Sequence, residues 1–135
     1  MDAIDHAILE ILRQNARTTN SDIADKVGLT EGAVRIRIKR LVETGVIKRF
    51  TIETQAAQAE AIVLMQTKTR GSKEILRRIR KQVDRLFETA GEYDVAAYLT
   101  ADDISVVNQI VDRLRRVEGI TSTVTLLKIA DDKIT

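Results

Sequence analysis

The side chains with the greatest chemical reach are six cations set within residues 33 to 50. Arg35, Arg37, Lys39, Arg40, Lys48 and Arg49 are opposed there by Glu43 alone, a local net charge of +5. Residues 1 to 32 carry three cations against six acids, and from residue 51 onward thirteen cations meet thirteen acids. A basic segment in an otherwise acidic or neutral chain is the footprint of a polyanion partner, although a solvated helix face can carry the same pattern. Little else in the sequence offers chemistry. There is no cysteine, hence no disulfide framework, thiolate metal site or cysteine nucleophile. The single histidine, His6, lies in a helical stretch among acids and reads as a helix-surface residue. No nucleophile-base set, glycine-rich phosphate loop or metal-spaced carboxylate group is present, so the sequence predicts no catalytic residue, no metal site and no cofactor.

The elements that must position these cations are helical. Ile4, Ile8, Leu9, Ile11 and Leu12 recur at helical spacing over residues 3 to 15. A short second helix follows, capped by Asn20 or Ser21, with Ile23, Ala24 and Val27 inward and Gly28 at its end. Thr30 can cap a third, running to about Thr44 before Gly45. Three helices, the last two joined by a three-residue turn, make a helix-turn-helix. Val46, Ile47, Phe50 and Ile52 then alternate in the manner of a strand or wing.

At 100° per residue, Val34, Ile38 and Leu41 fall on one side of the third helix, while Gly32, Ile36, Lys39 and Arg40 lie opposite. An isoleucine at the centre of a basic outward face suits insertion into a major groove. There it can meet a thymine methyl while Arg35 or Lys39 reaches guanine O6 and N7; alternatively, Ile36 packs on another protein segment. The candidate DNA contacts are Thr30, Glu31 and Gly32 at the helix start, Arg35, Ile36, Arg37, Lys39 and Arg40 along it, and Lys48 and Arg49 beyond it. Gly32 and Ala33 leave room for close approach, and the positive helix N-terminus favours phosphate.

Residues 53 to 60 show little periodicity and read as a linker open to some helical character, dividing a helix-turn-helix domain (1–52) from a second domain (61–135). There the pattern predicts a strand over 61–69, a helix over 72–88, a short strand ending at Thr89-Ala90, a strand over 94–100, a helix over 103–117 and a strand over 121–130. This is the split βαβ, or ferredoxin-like βαββαβ, order of an α+β fold. A four-stranded sheet with helices on one side leaves an apolar face that a second copy of the chain can cover. The basic residues of the 72–88 segment read as a solvated face neutralised by Glu74, Asp84 and Glu88, with a second DNA contact as the alternative.

The run from Asn20 to Phe50 resembles the helix-turn-helix of the Lrp/AsnC family of transcription regulators, through Ala24, Gly28, Val34 and the Arg37-to-Ile47 ending. GEYDVAAYL at 91–99 and VEGITSTVTLLK at 117–128 resemble that family's second-domain motifs. The resemblance implies a sequence-specific, homo-oligomeric DNA-binding regulator, a dimer or a tetramer or octamer built from dimers, in many members responsive to an amino acid. It further implies an effector site drawing on Gly91, Tyr93 and Asp94, with Thr123 or Thr125 on the last strand. A plain strand-to-strand turn is the other reading of that loop. A docking module for protein and an allosteric enzyme subunit are competing classes; the basic segment favours the regulator. With no leader pattern and no apolar run near the roughly 20 residues of a membrane span, the sequence predicts a cytoplasmic protein with no membrane partner.

Overall fold

The computed structural model describes residues 1–55 and 59–132 and divides the chain into two compact units, Met1–Glu53 and Thr54–Thr135. The helical character considered for the linker falls partly on residues 56–58, outside the described residues.

The first unit holds α1 (Ala3–Gln14), α2 (Asn20–Val27) and α3 (Glu31–Glu43). Each begins where a side-chain oxygen satisfies an orphan amide of the first turn. Asp2 and Asp5 form a reciprocal capping box on α1, and Thr30 accepts from Ala33 N at the start of α3. Thr19, rather than Asn20 or Ser21, caps α2, because Thr19 is the last extended residue and its hydroxyl accepts from Asp22 N. Gly28 closes α2 in the left-handed region at φ 74, which permits the sharp turn into α3. Ile8, Leu12, Ile23, Ala24 and Val34 form the core, with Ile38 and Ile47 packed against it. Of the strand or wing read over residues 46 to 52, no strand forms: Val46 and Ile47 lie in a bend and residues 48 to 52 in irregular backbone. Only Ile47 reaches the core, and Val46, Phe50 and Ile52 are exposed.

The second unit contains β1 (Ala59–Thr67), α4 (Lys73–Arg80), β2 (Arg85–Glu88), β3 (Val95–Ala101), α5 (Ile104–Arg115) and β4 (Ile120–Leu127). The sheet is antiparallel throughout, in the order β2-β3-β1-β4, the ferredoxin-like arrangement. Ala61, Val63, Met65, Val95, Ala97 and Leu99 are buried beneath Ile75, Leu76 and Ile79 of α4 and Val107, Val111 and Leu114 of α5. Strand alternation sends Ile62, Leu64, Ala96, Val124 and Leu126 to the opposite face, where Ile62 pairs Leu126 and Leu64 pairs Val124. Ile62 and Leu126 there remain about half exposed, at 45% and 51%.

The expected 72–88 helix stops at Arg80, and the second strand lies at Arg85–Glu88 rather than at Thr89-Ala90. The segment leaves the helix because β3 offers it a ladder: Asp84 N donates to Tyr98 O, and Arg85 to Glu88 pair with Tyr98 to Val95. Leu86 packs on the core, whereas Phe87, paired with Ala96, points to the open face at 44% exposure.

Candidate nucleic-acid interface

The third helix is fixed from below by buried Val34 and Leu41, so its other side is free to meet a ligand. Arg35, Ile36, Lys39 and Arg40 are all exposed there, and Ile36 retains 61% of its surface. Arg35 donates through Nη2 to the carboxylate of Glu31 one turn earlier, and its Nε and Nη1 have no partner among the described residues. Lys39 lies 3.9 Å from Glu43, a pairing that solvent leaves weak. At Gly32 an added Cβ would meet no atom within 4 Å, so the unit's own packing does not require glycine. Lys48 and Arg49 are exposed beyond the helix and form no ion pair among the described residues.

Arg37, grouped by sequence with the DNA contacts, faces the other way. Its Nη1 donates to Asp2 Oδ2 at 2.7 Å and to Asp5 Oδ1 at 3.1 Å, and its side chain is only 23% exposed. The guanidinium beside Asp2 holds that carboxyl below the usual aspartate range. Arg37 ties the reading helix to the start of α1 and is not part of the outward basic face.

In the second unit the loop between β2 and β3 is tied down by side chains. Arg70 donates to Thr89 O and Gly91 O, Gln66 Nε2 to Glu92 O at 2.8 Å, and Thr89 Oγ1 to Tyr93 O at 2.7 Å. The amides of Gly91, Glu92 and Tyr93 donate no hydrogen bond among the described residues. Asp94, which the family resemblance places in an effector site, is buried, and Thr67 N donates to it at 2.8 Å while the Thr67 hydroxyl also donates to it. Those bonds, led by the hydroxyl, hold its carboxyl below the ordinary aspartate value. The carboxylate is therefore committed to joining the end of β1 to the loop.

Thr123 and Thr125 pair with buried Met65 and Val63, which places them on the helix-covered face, and Arg115 Nε donates to Thr123 Oγ1 at 2.9 Å. Within one chain it is Ser122, not Thr123 or Thr125, that connects to the Gly91 loop. Ser122 Oγ donates to Gln66 Oε1, and Gln66 donates onward to Glu92 O. Gln66 and Arg70 went unnoticed in the sequence because neither stands in a motif; their roles arise from the β1 register. The open sheet face also carries one polar cluster, in which the Tyr98 hydroxyl and Lys128 Nζ both donate to the Glu60 carboxylate. Among the described residues no group of His, Cys, Asp or Glu is placed to hold a metal ion. None of the described helices is long and apolar enough to cross a membrane.

A helix-turn-helix whose third helix projects cations, joined to a ferredoxin-like unit, defines a DNA-binding regulator architecture. Comparison with known proteins agrees. Residues 1–48 match the winged helix-turn-helix DNA-binding family model. The chain is 40% identical over 127 residues to the HTH-type transcriptional regulator LysM of Sulfurisphaera tokodaii, covering 91% of both. E. coli AsnC shares the fold at a TM-score of 0.79 and 20% identity, covering 100% of this chain and 96% of that one. A transcriptional regulator of Neisseria meningitidis solved as an L-Met complex shares it at a TM-score of 0.80 and 22% identity, covering 100% and 94%. The chain belongs to the Lrp/AsnC family of helix-turn-helix transcription regulators.

Proposed function

We propose that the chain regulates transcription as a homo-oligomer in the cytoplasm, reading duplex DNA by base-edge contacts from α3 and catalysing no reaction of its own. The observation that carries this reading is the outward face of α3, where exposed Ile36 sits among Arg35, Lys39 and Arg40 behind a glycine the fold does not need. Thr30 and Glu31 would lie at the groove with the helix N-terminus, and Lys48 and Arg49 would meet phosphates. The test is a titration of the full chain on its own upstream DNA and on a scrambled duplex across several salt concentrations. Discrimination that persists at high salt supports base readout, whereas equal affinity for both duplexes would make it a non-specific coating protein.

Two finer assignments accompany this reading. The open face of Ile62, Leu64, Val124 and Leu126 would be covered by a second copy, since an exposed apolar sheet face of this extent favours association. The effector would be an amino acid or a similar carboxylate, its anion received by the free amides of Gly91, Glu92 and Tyr93. The L-Met complex of the Neisseria relative supports that ligand class. With Asp94 committed to Thr67, a ligand ammonium would have to be met by another group. Calorimetry of the full chain against the twenty amino acids tests the assignment, and the absence of heat from every one of them would remove the sensing role while leaving DNA reading intact.

A further inference from the structure

The sequence reading of the 72–88 segment as a neutralised, solvated helix face depended on Glu74, Asp84 and Glu88 standing opposite its cations. The structure removes two of the three. Asp84 lies beyond the helix, where Thr100 N donates to its Oδ2 at 2.6 Å and the Thr100 hydroxyl at 3.1 Å, and Glu88 has moved to β2. Glu74 is paired with Arg78 at 2.9 Å. Lys73, Arg77, Arg80 and the cap residue Lys81 are left exposed, their side chains forming no hydrogen bond or ion pair among the described residues. Lys73, Arg77 and Lys81 follow one another at four-residue steps and so lie along one stripe, with Arg80 beside them.

Attraction to the helix dipole accounts for cations in the last turn, but it opposes Lys73, the first residue of α4, whose first-turn neighbour Glu74 is paired with Arg78. The second unit is close to neutral as a whole, so this stripe is a segregated charge and not a share of a general excess. Three cations spaced at about 6 Å rise per step span about 12 Å. That equals the axial rise of three to four phosphates on one strand of a duplex.

We propose that this face of α4 is a second, sequence-independent contact for the phosphate backbone of duplex DNA. A polyanion fits it better than an apolar partner because the stripe itself is uninterrupted by large apolar side chains. DNA is favoured among polyanions because the same chain already binds it through the first unit.

The experiment uses the full chain carrying Lys73→Gln, Arg77→Gln and Lys81→Gln together, a single Arg77→Gln variant, and Arg78→Gln as a paired-cation control. Each is titrated at several salt concentrations on long duplexes, of about 150 base pairs or one persistence length, with and without the specific site. The triple variant should weaken binding to both duplexes in parallel and keep the preference between them. Its plot of log affinity against log salt should flatten by about 0.9 per lost contact, with Arg77→Gln giving about one third of the effect and Arg78→Gln little. An unchanged slope for the triple variant would overturn the proposal. So would unchanged DNA binding combined with a loss of binding to polyglutamate, which would assign the stripe to an acidic protein segment instead.

Discussion

Arg37 in the middle of the reading helix and Asp2 at the cap of the first helix form an ion pair at 2.7 Å that joins elements 35 residues apart in sequence. The same Asp2 carboxylate accepts the amide of Asp5, so one side chain both caps α1 and anchors α3. The ion pair thus ties α3 to α1 on the side opposite its exposed basic face.

Arg37→Met should lower the melting temperature of the first unit and weaken specific binding, without flattening the salt dependence, because no phosphate contact is lost. Asp2 has its folded pKa depressed by Arg37, below its ordinary 3.8. Its contribution to stability is complete above that ordinary value and is lost as pH falls through the lower folded value. Melts of the native chain and Asp2→Asn between pH 7 and pH 2 should therefore converge at the acid end. A salt slope reduced by about 0.9 in Arg37→Met would instead make Arg37 a phosphate contact.

On the outward face, Arg35→Ala should cost about 1 to 3 kcal/mol on the specific duplex and relax preference at one base pair. Ile36→Ala should lose preference for a thymine with no change of salt slope, since a methyl contact releases no counterion. Lys48→Ala and Arg49→Ala should weaken all duplexes alike and each flatten the slope by about 0.9. Titration of the four variants on specific and scrambled DNA checks all three statements.

Asp94→Ala should destabilise the second unit by about 1 to 3 kcal/mol, because it leaves the half-buried amide of Thr67 without its acceptor. Thr67→Val should move stability in the same direction by a smaller amount, removing the hydroxyl bond but keeping the amide bond. Denaturant unfolding measures both. An Asp94→Ala chain of unaltered stability that had lost only an amino-acid response would restore the ligand-facing role the loop motif suggested.

Ile62→Asp with Leu126→Asp places two carboxylates on facing positions of the open sheet face. Equilibrium sedimentation should then show monomers where the native chain is at least dimeric. If the double variant keeps the native mass, that face is not the one that pairs.

Much of this architecture was legible from periodicity. The apolar spacings of α1, α3 and α5 and the short apolar runs Ala61 to Met65 and Val95 to Leu99 each point to one structure, and the glycines closed the right elements. The failures share a cause: tertiary partners decided between local options of similar strength. Leu86 and Phe87 fit a helical face as well as a strand, and only the ladder to β3 selected the strand. Arg37 stands three residues after buried Val34, one short turn away, and its type alone could not say that Asp2 would be waiting there. Asp94 looked like a ligand group because its motif is exposed to view in sequence, whereas Thr67, its partner, lies 27 residues earlier.

The central position of β1 carries a consequence for the order in which the chain becomes competent. Its ladder with β4 joins Ala61 to Leu127, nearly the full span of the second unit, while α1, α2 and α3 meet over short sequence separations. Distant pairings close slowly, after local ones. During synthesis the sheet stays incomplete until β4 has left the ribosome, by which time the three helices have long been free to pack. The helices of the first unit thus need nothing from β4 to meet one another, whereas β1 cannot complete its ladder until the last strand arrives.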